Sequence, residues 1–439
     1  MQNDTEFLKK YFNIDMLTKI FISKKMVEKY YKESLEREQK RTRADSKISA
    51  LQMVLYLILW IVHPEDGYAA SIDKSKIFSL KSIKQKTNKC INAITPAGLC
   101  KARKRFTAII LKKLWQQDVI DAFTEQNPVH LWNSFQVSAC DATSITLPNE
   151  PDIIKDYPLG KNDKKPRMLM AVIYDVFSKI PLLCECASPL ISHERALLYA
   201  MLPSVSKTML LVLDRGYQAY WLFDAFMKNS IQFICRVKND FNYKIVRKIS
   251  KNEWIISINL SSAQRYSAKK YIPLDAVNSL SKTIILRLIK TQIKGFRPRL
   301  IVTSLLDSQK YSYDDIADLY CKRWRIESYF RDLKHLFKIE KFHAKYLDGI
   351  FQELYAAMIV SVIIRFFMRE SSETHSVEFD EISFKNSVFL FSIFLYIFDY
   401  DNNSYNIFIS LISLNKNKIR NDRHFPRIFY KRILKKVVL

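Results

Sequence analysis

The first 125 residues carry apolar side chains at the spacing of helices. This spacing is clearest through Ile48–Val62 and Phe106–Trp115, where one face of each segment is apolar. Thr95 followed by Pro96 is a typical start of a further helix, because threonine caps the free N–H groups and proline fits the first turn. The pattern therefore predicts a helical N-terminal region.

From about residue 134 the pattern changes to short apolar or alternating runs, which predict strands. The run 209–214 is continuously apolar, as expected for a central strand that is covered on both faces. The predicted order is β-β-β-α-β-α-β, and Asp141 and Asp214 end the first and fourth strands. The predicted strands are Phe135–Asp141, Met168–Asp175, Ile180–Ala187, 209–214 and Gln232–Val237. Asp175, before the turn Val176–Lys179, is interpreted as a hairpin residue.

The segment from 238 to 299 is rich in Asn, Lys, Ser and Ile, with β-like runs at Glu253–Leu260 and Thr283–Ile289. It predicts a small β-rich insertion. A strand at Arg299–Leu305 follows, and then a long helix that begins near Tyr313. Further apolar helices are predicted over Tyr346–Leu414.

The long helix is expected to carry a polar stripe beside its apolar face. At 100° per residue, the side chains of Tyr320, Arg323, Glu327 and Lys334 fall within about 60° of one another. A stripe beside the buried face is where the edge of a functional cleft should lie. The alternative is an ordinary amphipathic helix, in which Glu327 and Arg331, four residues apart, form an ion pair.

The charge changes the picture, since the chain carries +26 with 70 Lys plus Arg against 44 Asp plus Glu. Such an excess calls for an anionic partner, first a nucleic acid and second a membrane surface. Between Lys74 and Gln117 there are 12 Lys or Arg and no acid. This favours contact with the DNA backbone over a merely solvated basic face. The predicted DNA contacts of this region are Lys101, Arg103, Lys104 and Arg105.

Several classes of protein are disfavoured. The apolar stretches Leu51–Val62, Ala356–Met368 and Val388–Phe398 are each too short to span a bilayer. No apolar leader is evident at the N-terminus, and the cysteines form no CxxC pair, so we expect reduced thiols in a bacterial cytoplasm. Only 6 glycines argue against a glycine-rich phosphate loop, and the 7 histidines show no spacing for zinc.

Three carboxylates on rigid elements point to metal-dependent chemistry on a phosphate. Phosphoryl transfer requires positioning and charge neutralisation, which two Mg²⁺ or Mn²⁺ ions about 4 Å apart provide. Such hard cations prefer oxygen ligands. Asp141 and Asp214 at strand ends, with Glu327 on a helix beside them, are the candidate ligands and catalytic residues. Arg323 and Lys334 would supply charge for flanking phosphates, and Arg331 is a further predicted DNA contact.

These residues carry a resemblance to a known family. CDATSITLP around Asp141, LVLDRGY around Asp214 and the spacing Tyr320-x2-Arg323-x3-Glu327-x6-Lys334 resemble the three signature regions of bacterial insertion-sequence transposases. The last region looks like the YREK signature of the "insertion sequence four" group. TPAGLCKARKRF resembles the group's N-terminal DNA-binding region, and HFPRIFYKR at 424–432 resembles its C-terminal end.

The resemblance implies an α/β fold, a ribonuclease-H-like mixed sheet with a β-rich insertion, flanked by helical regions. It implies a metal triad of two aspartates and one glutamate, and phosphate contacts from Tyr320, Arg323 and Lys334. It further implies cut-and-paste transposition, with two protomers pairing two double-stranded DNA ends before target joining. Well-studied members place a stacking tryptophan before the final core strand; here Arg299 stands at that position, with Phe296 nearby, so hairpin formation stays open.

The expected organisation has five segments. They are a DNA-binding region at 1–128, the core at 129–237 and 300–345, the insertion at 238–299 and a C-terminal region with a basic tail at 346–439. Two alternatives stay open: an inactive DNA-binding relative, and a ribonuclease-H-like structure-specific nuclease. Glu194 is either a fourth acid near the metals or, as favoured here, a carboxylate facing a helix dipole. Tyr217 is either a DNA contact or a core aromatic.

Overall fold

The computed structural model describes residues 17, 20–38, 48–66, 95–292, 298–397 and 402–417. Three parts of the predictions lie outside the described residues. They are the basic stretch from 74 to 94, Phe296, and the C-terminal segment from 418 onward with its HFPRIFYKR motif.

The N-terminal region is helical in its described part, as the apolar spacing predicts. Ser49 begins the second helix with a capping box, in which its side chain and that of Gln52 satisfy each other's backbone N–H groups. Thr95 caps the third helix through the N–H of Gly98 at 3.1 Å. The helices are α1 (Lys24–Arg37), α2 (Ala50–Val62), α3 (Pro96–Arg105), α4 (Ala108–Lys113) and, after a π-helical turn at Leu114–Val119, α5 (Ile120–Gln126).

The central part of the chain forms a mixed sheet. An antiparallel meander is followed by two strands that run parallel to its first long strand, giving the strand order β4-β3-β2-β5-β6. This is the ribonuclease-H-like topology, and it confirms the predicted fold class. The strands are β1 (Leu131–Trp132), β2 (Phe135–Thr146), β3 (Arg167–Asp175), β4 (Pro181–Ala187), β5 (Met209–Leu213) and β6 (Gln232–Val237).

Helices connect these strands and cover the sheet. β5 is buried along its whole length, which explains why its sequence has no polar position. The turn between β3 and β4 confirms the hairpin role of Asp175, whose Oδ1 accepts the N–H groups of Phe177 and Ser178 at 2.8 Å each. The helices are α6 (Pro151–Asp156), α7 (Glu194–Met201) and α8 (Tyr220–Lys228).

The predicted β-rich insertion extends the same sheet. β10 pairs antiparallel with β6, and the other three strands continue outward in the order β9, β8, β7. Two short helices, which the pattern did not indicate, lie between β8 and β9. The elements are β7 (Lys244–Ser250), β8 (Glu253–Asn259), α9 (Ser262–Ala268), α10 (Leu274–Asn278), β9 (Thr283–Thr291) and β10 (Arg299–Thr303).

The predicted long helix is two helices, α11 (Tyr313–Lys322) and α12 (Arg325–His335). The expectation of one continuous helix was wrong. At the break, the N–H groups of Arg323 and Trp324 bond carbonyls three residues back, those of Tyr320 and Cys321, so the backbone tightens locally. No Pro or Gly marks the break in the sequence, and side-chain angles taken along one helix do not carry across it.

The C-terminal helices are α13 (Leu347–His375), α14 (Phe384–Ile397) and α15 (Asn402–Leu414). α13 has 29 residues and is long and apolar enough to cross a bilayer, contrary to the expectation for its apolar stretch. However, 94% of its most apolar window is buried inside the protein. It packs against α2, α4, α14 and α15 and is the central helix of this core.

Candidate active site

The parallel pairing of β2 and β5 places two aspartates side by side. Cys140 of β2 pairs with Leu213 of β5, and the next residues are Asp141 and Asp214. Asp214 directly follows β5, whereas β2 continues past Asp141 to Thr146, so the prediction that Asp141 ends its strand was wrong. The strand order therefore accounts for the proximity of two acids that lie far apart in the sequence.

The backbone around each aspartate fixes its carboxylate. Asp141 Oδ1 accepts the N–H of Ala142 at 2.8 Å. Asp214 caps a short 3₁₀ turn, and its Oδ1 accepts the N–H of Gly216 at 2.9 Å. Each carboxylate thus keeps its second oxygen available for another partner.

Arg323 joins the helix acid to the strand acid. Its Nη1 donates to Asp141 Oδ2 at 3.2 Å, and its Nη2 donates to Glu327 Oε1 at 2.8 Å. The guanidinium is only 3% exposed, whereas the Glu327 side chain is 38% exposed and opens to solvent. The two carboxylates are therefore held on one guanidinium.

The electrostatics confirm that the acids form a cluster. The pKa of Asp141 is raised to about 6: burial and, to a smaller extent, the carboxylates of Asp214 and Glu327 raise it, while the Ala142 N–H and Arg323 oppose the shift. Burial also opposes the charge of Arg323, yet Glu327 and the nearby acids hold the pKa of its guanidinium above the ordinary value.

Glu194, in the first turn of α7, is a fourth acid at this site. Its carboxylate lies against Gly216, so close that a methyl group on this glycine would overlap Glu194 Oε1. Burial raises the pKa of Glu194, and the charges of Asp141 and Asp214 raise it too. The helix-start position agrees with the favoured interpretation, while the contact with the Asp214 turn supports the alternative, a fourth acid near the cluster, because α7 packs against β3, β4 and this turn.

The donor chemistry of the cluster suits hard divalent cations, which prefer carboxylate oxygens. Asp141 and Glu327 nevertheless share the Arg323 guanidinium, and among the described residues no three His, Cys, Asp or Glu side chains are already arranged around one ion position. The residues fit a metal site by chemistry and proximity, and the Arg323 contacts would have to be exchanged for metal contacts.

The predicted phosphate contacts from the YREK-like segment have different environments. Tyr320 is only 3% exposed, and burial raises the pKa of its phenol. Lys334 donates from Nζ to the Ser144 carbonyl oxygen at 2.6 Å, on the same strand as Asp141. Arg331 is exposed on α12 and forms no ion pair with Glu327 among the described residues. Lys334 and Arg331 can reach a phosphate from these positions, whereas Tyr320 cannot without rearrangement.

The basic residues of α3 divide into two groups. Lys101 and Lys104 are exposed, and Arg105 is half-buried. Arg103 is fully buried, so the prediction that it contacts DNA was wrong. Its guanidinium donates to Glu353 Oε1 at 2.6 Å and to Gln352 Oε1 at 2.9 Å on α13. Because that helix lies more than 240 residues later, the sequence pattern could not distinguish Arg103 from its exposed neighbours.

The structure also gives the positions of Arg299 and of two aromatic residues, Tyr217 and Trp324. Arg299 begins β10, opposite Thr291, and is half-buried. Tyr217 is fully buried, and its hydroxyl accepts the Cys140 thiol at 3.5 Å, which identifies it as a core aromatic. Trp324, between Arg323 and α12, is 42% exposed. Its proximity to the cluster was not predicted, since its exposure results from the helix break.

The topology and the acids together define an α/β protein of the ribonuclease-H-like class with an acidic site on its central strands β2 and β5. Residues 132–363, more than half of the chain, match the family described as Transposase DDE domain. The chain belongs to this family, as the resemblance of its three motif regions implies.

Named relatives agree with the family. The chain is 20% identical over 288 residues to the transposase InsG for insertion sequence element IS4 of Escherichia coli, covering 64% of this chain and 62% of that one. It is 26% identical over 222 residues to the putative transposase y4zB of Sinorhizobium fredii, covering 47% and 57%. The chain thus spans less than two thirds of the length of these relatives.

Among solved structures, the piggyBac transposase synaptic complex with hairpin DNA matches with a TM-score of 0.44 and 9% identity. The match covers 93% of this chain and 82% of that one.

Proposed function

We propose that this protein is a DNA transposase that cuts and joins strands at the inverted-repeat ends of an insertion sequence. The observation that carries the proposal is the meeting of Asp141 within β2, Asp214 at the end of β5 and Glu327 on α12, in a chain of the Transposase DDE domain family. The reaction is cut-and-paste phosphoryl transfer on DNA: water attacks the phosphodiester at the end and releases a 3′-hydroxyl, which then attacks a target phosphodiester and displaces a target 3′-oxygen.

Asp141, Asp214 and Glu327 would hold two divalent ions, Mg²⁺ or Mn²⁺. When bound, such ions would lower the pKa of the attacking water or 3′-hydroxyl and stabilise the leaving oxygen. Glu194 lies against the Asp214 turn and adds a further carboxylate to the same electrostatic environment.

The basic residues of the chain position the DNA. Lys334 and Arg323 lie beside the carboxylates, where positive charge offsets the negative charge of a phosphate brought against acids. The further contacts in the proposal are Arg331 on α12, Lys101, Lys104 and Arg105 on α3, and Arg299 on β10.

The proposed partner is double-stranded DNA, both transposon ends and target, bound by two copies of the chain in a synaptic complex. Its place of action is the bacterial cytoplasm at the nucleoid, with no membrane partner. The net charge of +26 supports a polyanionic partner. The boundaries of the five predicted segments are part of the same proposal.

A second candidate is an inactive DNA-binding relative. The observation that favours it is the Arg323 guanidinium between Asp141 and Glu327, because an arginine fixed there would exclude metal. This candidate predicts salt-sensitive DNA binding and no divalent-dependent cleavage.

Cleavage of end-containing DNA separates the two candidates. The full chain is incubated with duplex DNA that carries the inverted repeats flanking its coding region, with Mg²⁺ or with EDTA. We expect strand cuts at the repeat ends in Mg²⁺ only, and on the order of a thousandfold slower cleavage by Glu327→Gln, a loss of several kcal/mol of transition-state stabilisation.

The matched control is Glu373→Gln, the same change at an exposed position near the end of α13, which should cleave like the wild type. Salt-sensitive binding without any cleavage would select the inactive relative. Equal cutting of a branched junction that lacks the repeats would select a structure-specific nuclease.

A further inference from the structure

A large basic cavity lies on the other side of α12 from the carboxylate cluster. It has a volume of about 740 Å³ and is bounded by α12, the β3–β4 turn, α13 and the start of α14. Five cationic side chains and one carboxylate, Asp332, line it. The cations are Lys179, Arg325, Arg331, Arg365 and Lys385. We call it the α12 cavity.

Two of the five cations are already neutralised. Lys179 Nζ lies 2.7 Å from Asp380, and Arg325 forms a second ion pair with the same carboxylate. Among the described residues, Arg331, Arg365 and Lys385 have no carboxylate within 4 Å. The cavity therefore has a surplus of positive charge that the described part of the chain does not balance.

Arg365 is the most informative of these residues because it is buried. Its side chain comes from the central helix α13, is 6% exposed and lies with Cζ 4.0 Å from the centre of the Phe384 ring. Its nearest hydrogen-bond partner is the weak acceptor Met368 Sδ at 3.5 Å. Burial lowers the pKa of this guanidinium. Burial and the positive charge of Arg365 together lower the pKa of Lys179 to about 8.

A buried cation without a paired carboxylate is unfavourable unless an anion binds to it, and Asp332 and Asp380 act on Arg365 only from beyond ion-pair distance. The planar guanidinium fork matches a phosphate geometrically, and the exposed Arg331 and Lys385 at the rim offer two more donors. The cavity thus has the composition of a phosphate site, with a buried anchor and a basic rim.

The position of the cavity favours the DNA that is being cut as the source of the phosphate. Glu327 lies at the carboxylate cluster, whereas Tyr329 and Asp332, which point about 140° to 160° away from it around α12, line the cavity. A helix with its side chains is about 10 Å across. A DNA strand rises about 3.4 Å per nucleotide, so this width corresponds to about three nucleotides.

We propose that the α12 cavity binds the phosphodiester backbone of the DNA strand about three nucleotides from the cut, with Arg365 as its buried anchor. The inference rests on the proposed function, since it requires DNA at Glu327. It adds a second phosphate site to the contacts beside the carboxylates and assigns Arg365, Lys385 and Arg331 to it.

Phosphate-ethylation interference tests the proposal. The full chain is bound to end-containing duplex DNA in EDTA, and the phosphates whose ethylation weakens binding are mapped for the wild type, Arg365→Met and Lys385→Ala. Both variants should lose the same one or two interfering phosphates, about three nucleotides from the cut. Each should also reduce the slope of log affinity against log salt by about one.

Two comparisons separate binding from folding. Arg365→Met keeps the side-chain length and removes a buried charge, so its thermal unfolding midpoint should stay the same or rise. Lys385 is exposed, so its alanine variant tests the cavity even where Arg365→Met folds poorly. The control is Lys248→Ala on β7, at the far end of the sheet, which should keep the wild-type map.

An interference map unchanged in both cavity variants would overturn the inference. So would equal losses in Lys248→Ala, because they would show a general effect of charge. If the wild type cleaves the ends in Mg²⁺ while the variant maps are unchanged, the cavity fails and the proposed function stands. If the wild type binds no DNA, the proposed function itself fails.

Discussion

Four carboxylates and one buried guanidinium meet at the candidate active site. The charges of Asp214 and Glu327 raise the pKa of Asp141, and those of Asp141 and Asp214 raise the pKa of Glu194. Arg323 pairs with only two of these carboxylates, Asp141 and Glu327. In the absence of metal the cluster therefore carries more negative charge than Arg323 neutralises. Such an excess of negative charge at a site is expected where a ligand supplies the missing positive charge.

The Glu194→Gln variant tests this repulsion. It removes one negative charge beside Asp141 and Asp214, so the metal-free protein should gain about 1 kcal/mol in free energy of unfolding. The measurement is the midpoint of chemical denaturation in EDTA at pH 8, compared with the exposed control Glu36→Gln on α1, which should change little. A lower midpoint for Glu194→Gln would contradict the account, since it would mean that attractive contacts hold this carboxylate.

At the scale of elements, α13 is the structural centre of the helical part. Its 29 residues are buried almost throughout, and it holds the N-terminal region through the ion pair between Glu353 and Arg103. The same helix supplies Arg365 to the α12 cavity and ends near Glu370, a carboxyl group enclosed by apolar packing. Burial raises the pKa of Glu370 to about 7, although a hydrogen bond from Tyr405 opposes the shift.

This raised pKa predicts a pH dependence of stability. The folded state binds a proton at Glu370 more tightly than the unfolded state, so the associated stability is complete at low pH and is lost as pH rises through 7. The wild type should lose up to about 3 kcal/mol relative to Glu370→Gln between pH 5 and pH 8.5. Denaturant unfolding of both proteins at the two pH values measures this difference; parallel pH profiles would show that Glu370 is not buried as a neutral acid.

The elements also show what the sequence could and could not predict. Continuous apolarity predicted β5, and alternation predicted β2, because each face of a strand has a fixed environment. The break between α11 and α12 had no local signal, since neither proline nor glycine occurs there. Arg103 was assigned to DNA for a similar reason: its partner Glu353 lies 250 residues away, and only the folded chain brings the two together.

At the scale of the whole molecule, the sheet topology creates the site. The parallel register of β2 and β5 brings Asp141 next to Asp214, and the extension of the sheet through β10 returns the chain so that α12 can present Glu327. The sequence motifs predicted which acids meet. For Glu194 the sequence left two interpretations open, and the packing of α7 against the Asp214 turn supports the fourth acid. The α12 cavity was not predictable, because it arises between elements that are distant in the chain.

The central claim is that these acids hold the metal ions of strand cleavage, and metal specificity tests it most directly. Asp214→Cys replaces a hard oxygen ligand by a thiolate, which accepts Mg²⁺ poorly and a transition ion such as Mn²⁺ better. The measurement is the rate of end cleavage by the wild type and Asp214→Cys in each ion. The account predicts that the variant is inactive in Mg²⁺ and recovers a substantial part of its activity in Mn²⁺; equal relative activity in the two ions would contradict it.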